Sequence, residues 1–269
     1  MSNSPLVTYK RISPNRTSPR NHIIDTITIH CYVGQVTAKQ GCDYFATTDR
    51  KASSNYVVGK DGSIGLSVEE KDRAFTSGGY DSNGNPIKVN GISGSDNDHR
   101  AVTIEVACDT TAPYAVTKEA YEALINLVAD ICKRNNIKQL LWKADKTLVG
   151  KVDKQNMTVH RWFANKSCPG DYLYNKHGEI ANEVNKKLNS AESTSTSKNL
   201  YRVQVGAFSN TNNAKNFEKQ VKAKGFDTFI VKVGSYYKVQ VGAFSKKANA
   251  EAYANKVRQA GFSCYVTKS

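Results

Sequence analysis

The chain has 269 residues, enough at roughly 150 per domain for one large domain or two smaller ones, and its 39% hydrophobic content excludes a wholly disordered polymer. Lys and Arg number 38 against 24 Asp and Glu, a formal charge of +14 that favours polyanionic partners: nucleic acid, anionic lipid or an anionic cell wall. No segment reaches the ~18 apolar residues of a membrane span. The polar start, with Lys10, Arg11, Arg16 and Arg20, lacks the apolar core of a secretory signal, so synthesis in the cytoplasm and exit by another route are expected.

In chain order, Ile23–Val33 reads as a strand, and Tyr56–Val58 with Ser63–Leu66 as a hairpin around Lys60-Asp61-Gly62. Ala101–Cys108 is a second long strand. Thr117–Asn135 follows as an amphipathic helix with Tyr121, Leu124, Ile125, Val128 and Ile131 on one side. Met157–Trp162 reads as a third strand and Asp171–Leu188 as a second helix. The mixture predicts an α/β fold, a mixed central sheet flanked by helices, over residues 1–188. Residues 189–199 (NSAESTSTSKN) are low in complexity and read as a linker.

Residues 200–269 contain an internal repeat: YRVQVGAFS at Tyr201–Ser209 returns as YKVQVGAFS at Tyr237–Ser245, an offset of 36 residues. Each copy reads strand, helix (Thr211–Lys224; Lys246–Ala260), Gly, strand (Phe226–Val233; Phe262–Lys268). Together they predict one small α+β ferredoxin-like βαββαβ domain. Val203, Val205, Val239 and Val241 should face the helices. The open face should then carry Arg202, Gln204, Lys238, Gln240 and Tyr265, with Tyr236 or Tyr237 at its edge, a surface suited to sugar hydroxyls and pyranose faces or simply to solvent. From Asn199 onward there are 12 basic and 3 acidic residues, so the cationic surplus is concentrated here.

Alternation along the strands of the first domain places His30, Glu105 and His160 on polar faces, each with a Thr two residues earlier, so the three converge if the strands are neighbours. Eight residues beyond His160, Cys168 precedes Pro169-Gly170. Two imidazoles and a thiolate form a catalytic zinc set with a fourth position for water. A Cys168–His160 nucleophile pair is the competing reading, and chelator sensitivity separates the two. The six cysteines show no disulfide framework. Cys31 reads as core, and Cys42, Cys108, Cys132 and Cys264 as buried thiols. His22, His99 and His177 read as surface residues.

The segments ITIHCYV (Ile27–Val33), ASSNYVVGKDGSI (Ala52–Ile64), TIEV (Thr103–Val106) and VHRWFANKSCPGDYL (Val159–Leu173) resemble the amidase-2 family, the zinc-dependent N-acetylmuramoyl-L-alanine amidases shared with peptidoglycan recognition proteins and phage lysins. The C-terminal repeat, with its VQVGAF motif, resembles the SPOR repeat, which binds peptidoglycan glycan strands. The resemblance implies one Zn²⁺ held by His30, His160 and Cys168, Glu105 as general base, and Lys166 with Tyr56 at the oxyanion. Glycan would be held by Arg202, Gln204, Tyr236, Lys238, Gln240 and Tyr265. Thr76 stands where the family often carries His. The implied reaction is hydrolysis of the amide between N-acetylmuramic acid and L-alanine. The implied partner is bacterial peptidoglycan, with anionic wall polymers a further one, and no nucleic acid. The implied setting is a phage or prophage endolysin acting after release from the host cytoplasm. The alternatives are a mother-cell autolysin or a non-catalytic recognition protein.

Overall fold

The computed structural model describes residues 2–47, 49, 51–195, 200–244 and 246–268, with the side chains of 190–195 left undescribed. The chain folds as two compact units, Met1–Asn189 and Ser190–Ser269. No helix among the described residues is long and apolar enough to cross a membrane.

The first unit runs β1 (Tyr9–Lys10), β2 (Arg16–Thr17), β3 (Thr26–Cys31), α1 (Ala38–Thr47), β4 (Tyr56–Val58), β5 (Ile64–Leu66), β6 (Arg73–Ala74), β7 (Lys88–Val89), β8 (Ile92–Ser93), α2 (Gly94–Arg100), β9 (Ala101–Val106), α3 (Lys118–Arg134), β10 (Met157–Thr158) and α4 (Gly170–Ser195). Six of these strands form one sheet in the order β1-β5-β4-β9-β3-β10. It is mixed: β4 and β5 are an antiparallel hairpin, and the other neighbours are parallel. Ile27 and Ile29 of β3 and Val102, Ile104 and Val106 of β9 join Leu124, Leu127, Val128 and Ile131 of α3, and Ile180 and Val184 of α4, in one apolar core. The Thr117 side chain caps α3 by accepting the Ala120 N–H at 3.1 Å, and its hydroxyl donates to the Lys60 carbonyl, tying the helix to the hairpin.

On the other face, α1 buries Ala38, Gly41, Cys42 and Phe45, a helical stripe that meets Val57. This helix, α2 and the two-residue strands other than β10 carry no signal in the sequence reading. The long strand read at Ile23–Val33 contracts to Thr26–Cys31. The strand read at Met157–Trp162 survives only as β10: His160–Trp162 is a single 3-10 turn. The chain turns there because β10 is an edge strand with one partner, β3, while the Phe163 N–H donates to the His160 carbonyl at 2.8 Å and Phe163 is fully buried. Alternation therefore does not explain how His160 is aimed. The helix read to Leu188 continues to Ser195 through part of the expected linker; residues 196–199 of that segment lie outside the described residues.

The second unit contains β11 (Tyr201–Phe208), α5 (Thr211–Ala223), β12 (Phe229–Val233), β13 (Tyr236–Phe244), α6 (Lys247–Gln259) and β14 (Tyr265–Lys268). The sheet is antiparallel in the order β12-β13-β11-β14, the ferredoxin-like arrangement. Val203, Val205, Val239 and Val241 pack with Ala214, Val221, Ala250, Ala254 and Val257 of the two helices. Gly225 and Gly261 follow the helices at φ of 84° and 92°, a left-handed conformation that costs glycine nothing.

Candidate metal centre and sheet groove

His30 is the fifth residue of β3, and the parallel register sets it beside Glu105 of β9. Neighbours in register project to the same face, so the carboxyl and the imidazole both emerge opposite the apolar core. His160 opens the 3-10 turn that follows β10. Cys168 precedes α4, and its carbonyl accepts the Arg161 N–H at 3.1 Å, which closes the loop between the two residues. One donor atom from each of His30, His160 and Cys168 lies within 4.8 Å of the others. Cys168 Sγ is 3.4 Å from His30 Nδ1, and the two imidazole centroids are 5.2 Å apart.

His30 is fully buried, and burial first, then the nearby His160 and His177, hold its pKa well below 6.5. His160 is also lowered, mainly by burial and in part by Lys166, against the opposing pull of Glu105 and Asp98. Both rings are therefore neutral at pH 7, the form that offers a lone pair to a metal. The Gly78 backbone also favours the protonated form of His160, while the ring's Nε2 is buried with no partner. Glu105 is pushed up to about 7 by burial, and its Oε2 is likewise buried without a hydrogen bond. A carboxyl so poised can take and return a proton near neutral pH. It also lines a cavity of about 400 Å³ walled by Tyr32, Val33, Tyr44 and Phe45. Lys166 is exposed on the 165–167 loop, close enough for its charge to act on His160.

Tyr56 is a correction. It pairs with Ile104, not Glu105, so it points into the apolar core on the opposite face. Its hydroxyl donates to Glu70 at 2.6 Å and accepts the Ser4 N–H at 2.8 Å, and Glu70 is held in turn by Arg134. Thr76 is equally committed inward, donating to the Ser53 carbonyl at 2.7 Å. His177, read as a surface residue, is fully buried on α4 with its ring 4.6 Å from Trp142, and burial lowers its pKa to about 4. Cys264, read as buried, is only partly buried, at the edge of the second core. Asn97, bonded to Thr28 and Thr158, and Asp98, bonded to the Thr76 and Ser77 N–H groups, carried no motif that could have marked them.

In the second unit the face away from the helices forms a groove of about 370 Å³ lined by Arg202, Gln204, Val231, Val233, Lys238, Gln240, Thr267 and Lys268. Gln204 and Gln240 pair directly across β11 and β13 and are 1% and 5% exposed, so they are the floor of a groove and not the open surface expected. Both side-chain polar atoms of Gln204 and the Oε1 of Gln240 have no partner. Tyr265, opposite Gln204, and Tyr236, on the same face of β13 as Lys238 and Gln240, are each about half exposed.

Residues 19–171 match the model of the N-acetylmuramoyl-L-alanine amidase family, and residues 197–268 match that of the SPOR domain. No curated protein matches the chain. Among solved structures, the peptidoglycan binding domain of the B. subtilis cell wall lytic enzyme CwlC is 42% identical over 27% of this chain and 92% of its own, with a TM-score of 0.26. The S. aureus hydrolase AmiA, solved with its ligand, is 13% identical over 72% of this chain and 87% of its own, with a TM-score of 0.49. Drosophila peptidoglycan recognition protein SD is 17% identical over 60% of this chain and 86% of its own, with a TM-score of 0.39.

The position of Tyr56 makes a prediction. Tyr56→Phe should cost about 1–3 kcal/mol of unfolding free energy, as removal of a buried hydrogen bond to a charged partner does, without changing whatever metal binding or hydrolysis the wild-type chain shows. Wild-type stability with lost turnover would place this hydroxyl at the reacting centre instead.

Proposed function

The chain belongs to the N-acetylmuramoyl-L-alanine amidase family, and on that premise we propose that it is a zinc-dependent hydrolase of the amide joining N-acetylmuramic acid to L-alanine in bacterial peptidoglycan. The observation that carries this reading is the His30, His160 and Cys168 donor cluster, with the unpartnered Glu105 carboxyl beside it. The donors fit zinc: two neutral imidazoles and one sulfur make a three-ligand set of the catalytic kind, and the orphaned His160 Nε2 is a buried atom that a metal would satisfy. Zinc held there supplies Lewis acidity toward a water and the scissile carbonyl. Glu105, poised near neutral pH, accepts the proton of the attacking water and returns it to the departing amine of L-alanine. Lys166 presents its cation toward the oxygen that gains charge.

The SPOR domain supports binding to the same polymer. In our reading the sheet groove is the glycan site. The unpartnered amide of Gln204 and the unpartnered Oε1 of Gln240 exchange hydrogen bonds with sugar hydroxyls and N-acetyl groups, and Tyr236 and Tyr265 offer ring faces. Arg202, Lys238 and Lys268 draw in an anionic wall. A hydrolase tied to a module for its own substrate suits bacterial lysis, and we place the chain among phage or prophage endolysins.

His30→Ala and Cys168→Ala should each lose zinc and stop release of peptides that begin with L-alanine, read by mass spectrometry of digested walls. New reducing sugars in the wild-type digest would overturn the assignment. Glu105→Gln should keep its zinc while turnover falls by about 10²–10⁴. If the metal leaves as well, Glu105 is a structural group. For the groove, a Gln204→Ala/Gln240→Ala chain should sediment with purified glycan less than wild type and still bind zinc. Undiminished sedimentation, or preference for RNA in a filter assay, would contradict the glycan reading.

A further inference from the structure

Both imidazoles are touched by one short segment, Thr76–Gly78, which belongs to no strand or helix. Ser77 Oγ lies 3.4 Å from His30 Nε2, the ring nitrogen on the far side from Cys168, and the Gly78 backbone lies near enough to His160 to favour its protonated form. The segment is held from α2. Asp98, 1% exposed, accepts the Thr76 N–H at 2.9 Å and the Ser77 N–H at 2.8 Å, both on Oδ2. The first residue of α2 presses on the same backbone: a Cβ on Gly94 would stand 1.9 Å from the Ser77 carbonyl oxygen, so only glycine allows this approach. The adjacent Asn97 fixes the strands. Its amide donates to Thr28 Oγ1 at 3.0 Å and accepts from Thr158 Oγ1 at 3.0 Å, while the two hydroxyls meet at 2.7 Å. Thr28 and Thr158 are the residues two before His30 and His160, which accounts for the repeated Thr-x-His spacing.

We infer that Asp98, which touches neither imidazole, is a positioning residue of the metal centre: it fixes the Thr76–Gly78 backbone and through it the orientation of His30 and His160. A metal-ligating histidine keeps its aim only while its second nitrogen has a fixed partner, and loss of such a partner costs about 10–100-fold in metal affinity. Here one carboxylate sets the partners of two ligands at once. The inference rests on the zinc reading above and adds to it the device that shapes the site before metal arrives.

The test is zinc affinity of the full chain, measured by competition with a chromophoric chelator, with folding followed by circular dichroism. Asp98→Ala should bind zinc about 10–100-fold more weakly than wild type. Asp98→Asn, which keeps an oxygen facing Thr76 and Ser77, should retain wild-type affinity, and Ser77→Ala should weaken binding in the direction of Asp98→Ala. A folded Asp98→Ala chain with wild-type affinity overturns the inference, as does an Asp98→Asn chain as weak as Asp98→Ala. Should Asp98→Ala fail to fold, Ser77→Ala decides: wild-type affinity there overturns the inference. A wild-type chain that takes up no zinc overturns the proposed function itself and this role with it, whereas tight binding by wild type and Asp98→Ala alike removes only the positioning role.

Discussion

The site depends on the parallel pairing of β3 with β9, which sets His30 and Glu105 side by side on the polar face of an otherwise apolar pair of strands. Slipping either strand by one residue would turn its polar side chain into the packing of α3 and α4 and part the two groups. The isoleucines and valines of the two strands forbid the slip, because they would then face the threonines and the polar cover. The hydrophobic effect thus fixes the position of two polar groups that it does not touch. β10 extends the arrangement, bringing Thr158 beside Thr28 and delivering the chain to the turn that starts at His160.

Burial sets the electrostatics. Removing water penalises the charged forms, so the imidazoles are held neutral and Glu105 is raised to about 7. In a site built only for stability these groups would be satisfied by hydrogen bonds. Here His160 Nε2 and Glu105 Oε2 are buried without partners, whereas the second nitrogen of His30 and the backbone around Ser77 are anchored. The anchored atoms face outward from the cluster toward α2 and its loop, and the open ones belong to the groups assigned to chemistry. The same contrast recurs in the second unit, where Gln204 and Gln240 lie at the floor of a groove with amide atoms unused.

His30 and Glu105 were legible because strand alternation is a local pattern, and the repeat beginning at Tyr201 and Tyr237 was legible because identity at a fixed offset needs no structure. His160 and Cys168 were joined by resemblance to a family; alternation gave the right face for His160 by a wrong route, since a 3-10 turn and not a strand aims it. Tyr56 misled because a motif position shows nothing of strand parity, and its pairing with Ile104 sends it to the core. Helix α1 went unread because Gly41 and the β-branched Thr47 weaken the helical signal in a segment whose stability comes from packing on Val57. Asp98 and Ser77 were invisible for a deeper reason: their role exists only once α2 folds over the loop, a contact between segments about 20 residues apart in sequence.

In the proposed reading the two units share a target while differing in what they ask of it: the first would need a single amide beside a buried cluster, the second an extended run of sugars along a sheet. The central claim, that two nitrogens and one sulfur of this chain grip a single zinc, is tested most directly by zinc-edge X-ray absorption on the full chain loaded with one equivalent. The account predicts one sulfur at about 2.3 Å and imidazole nitrogens at about 2.0–2.1 Å. A first shell of nitrogen and oxygen without sulfur would contradict it.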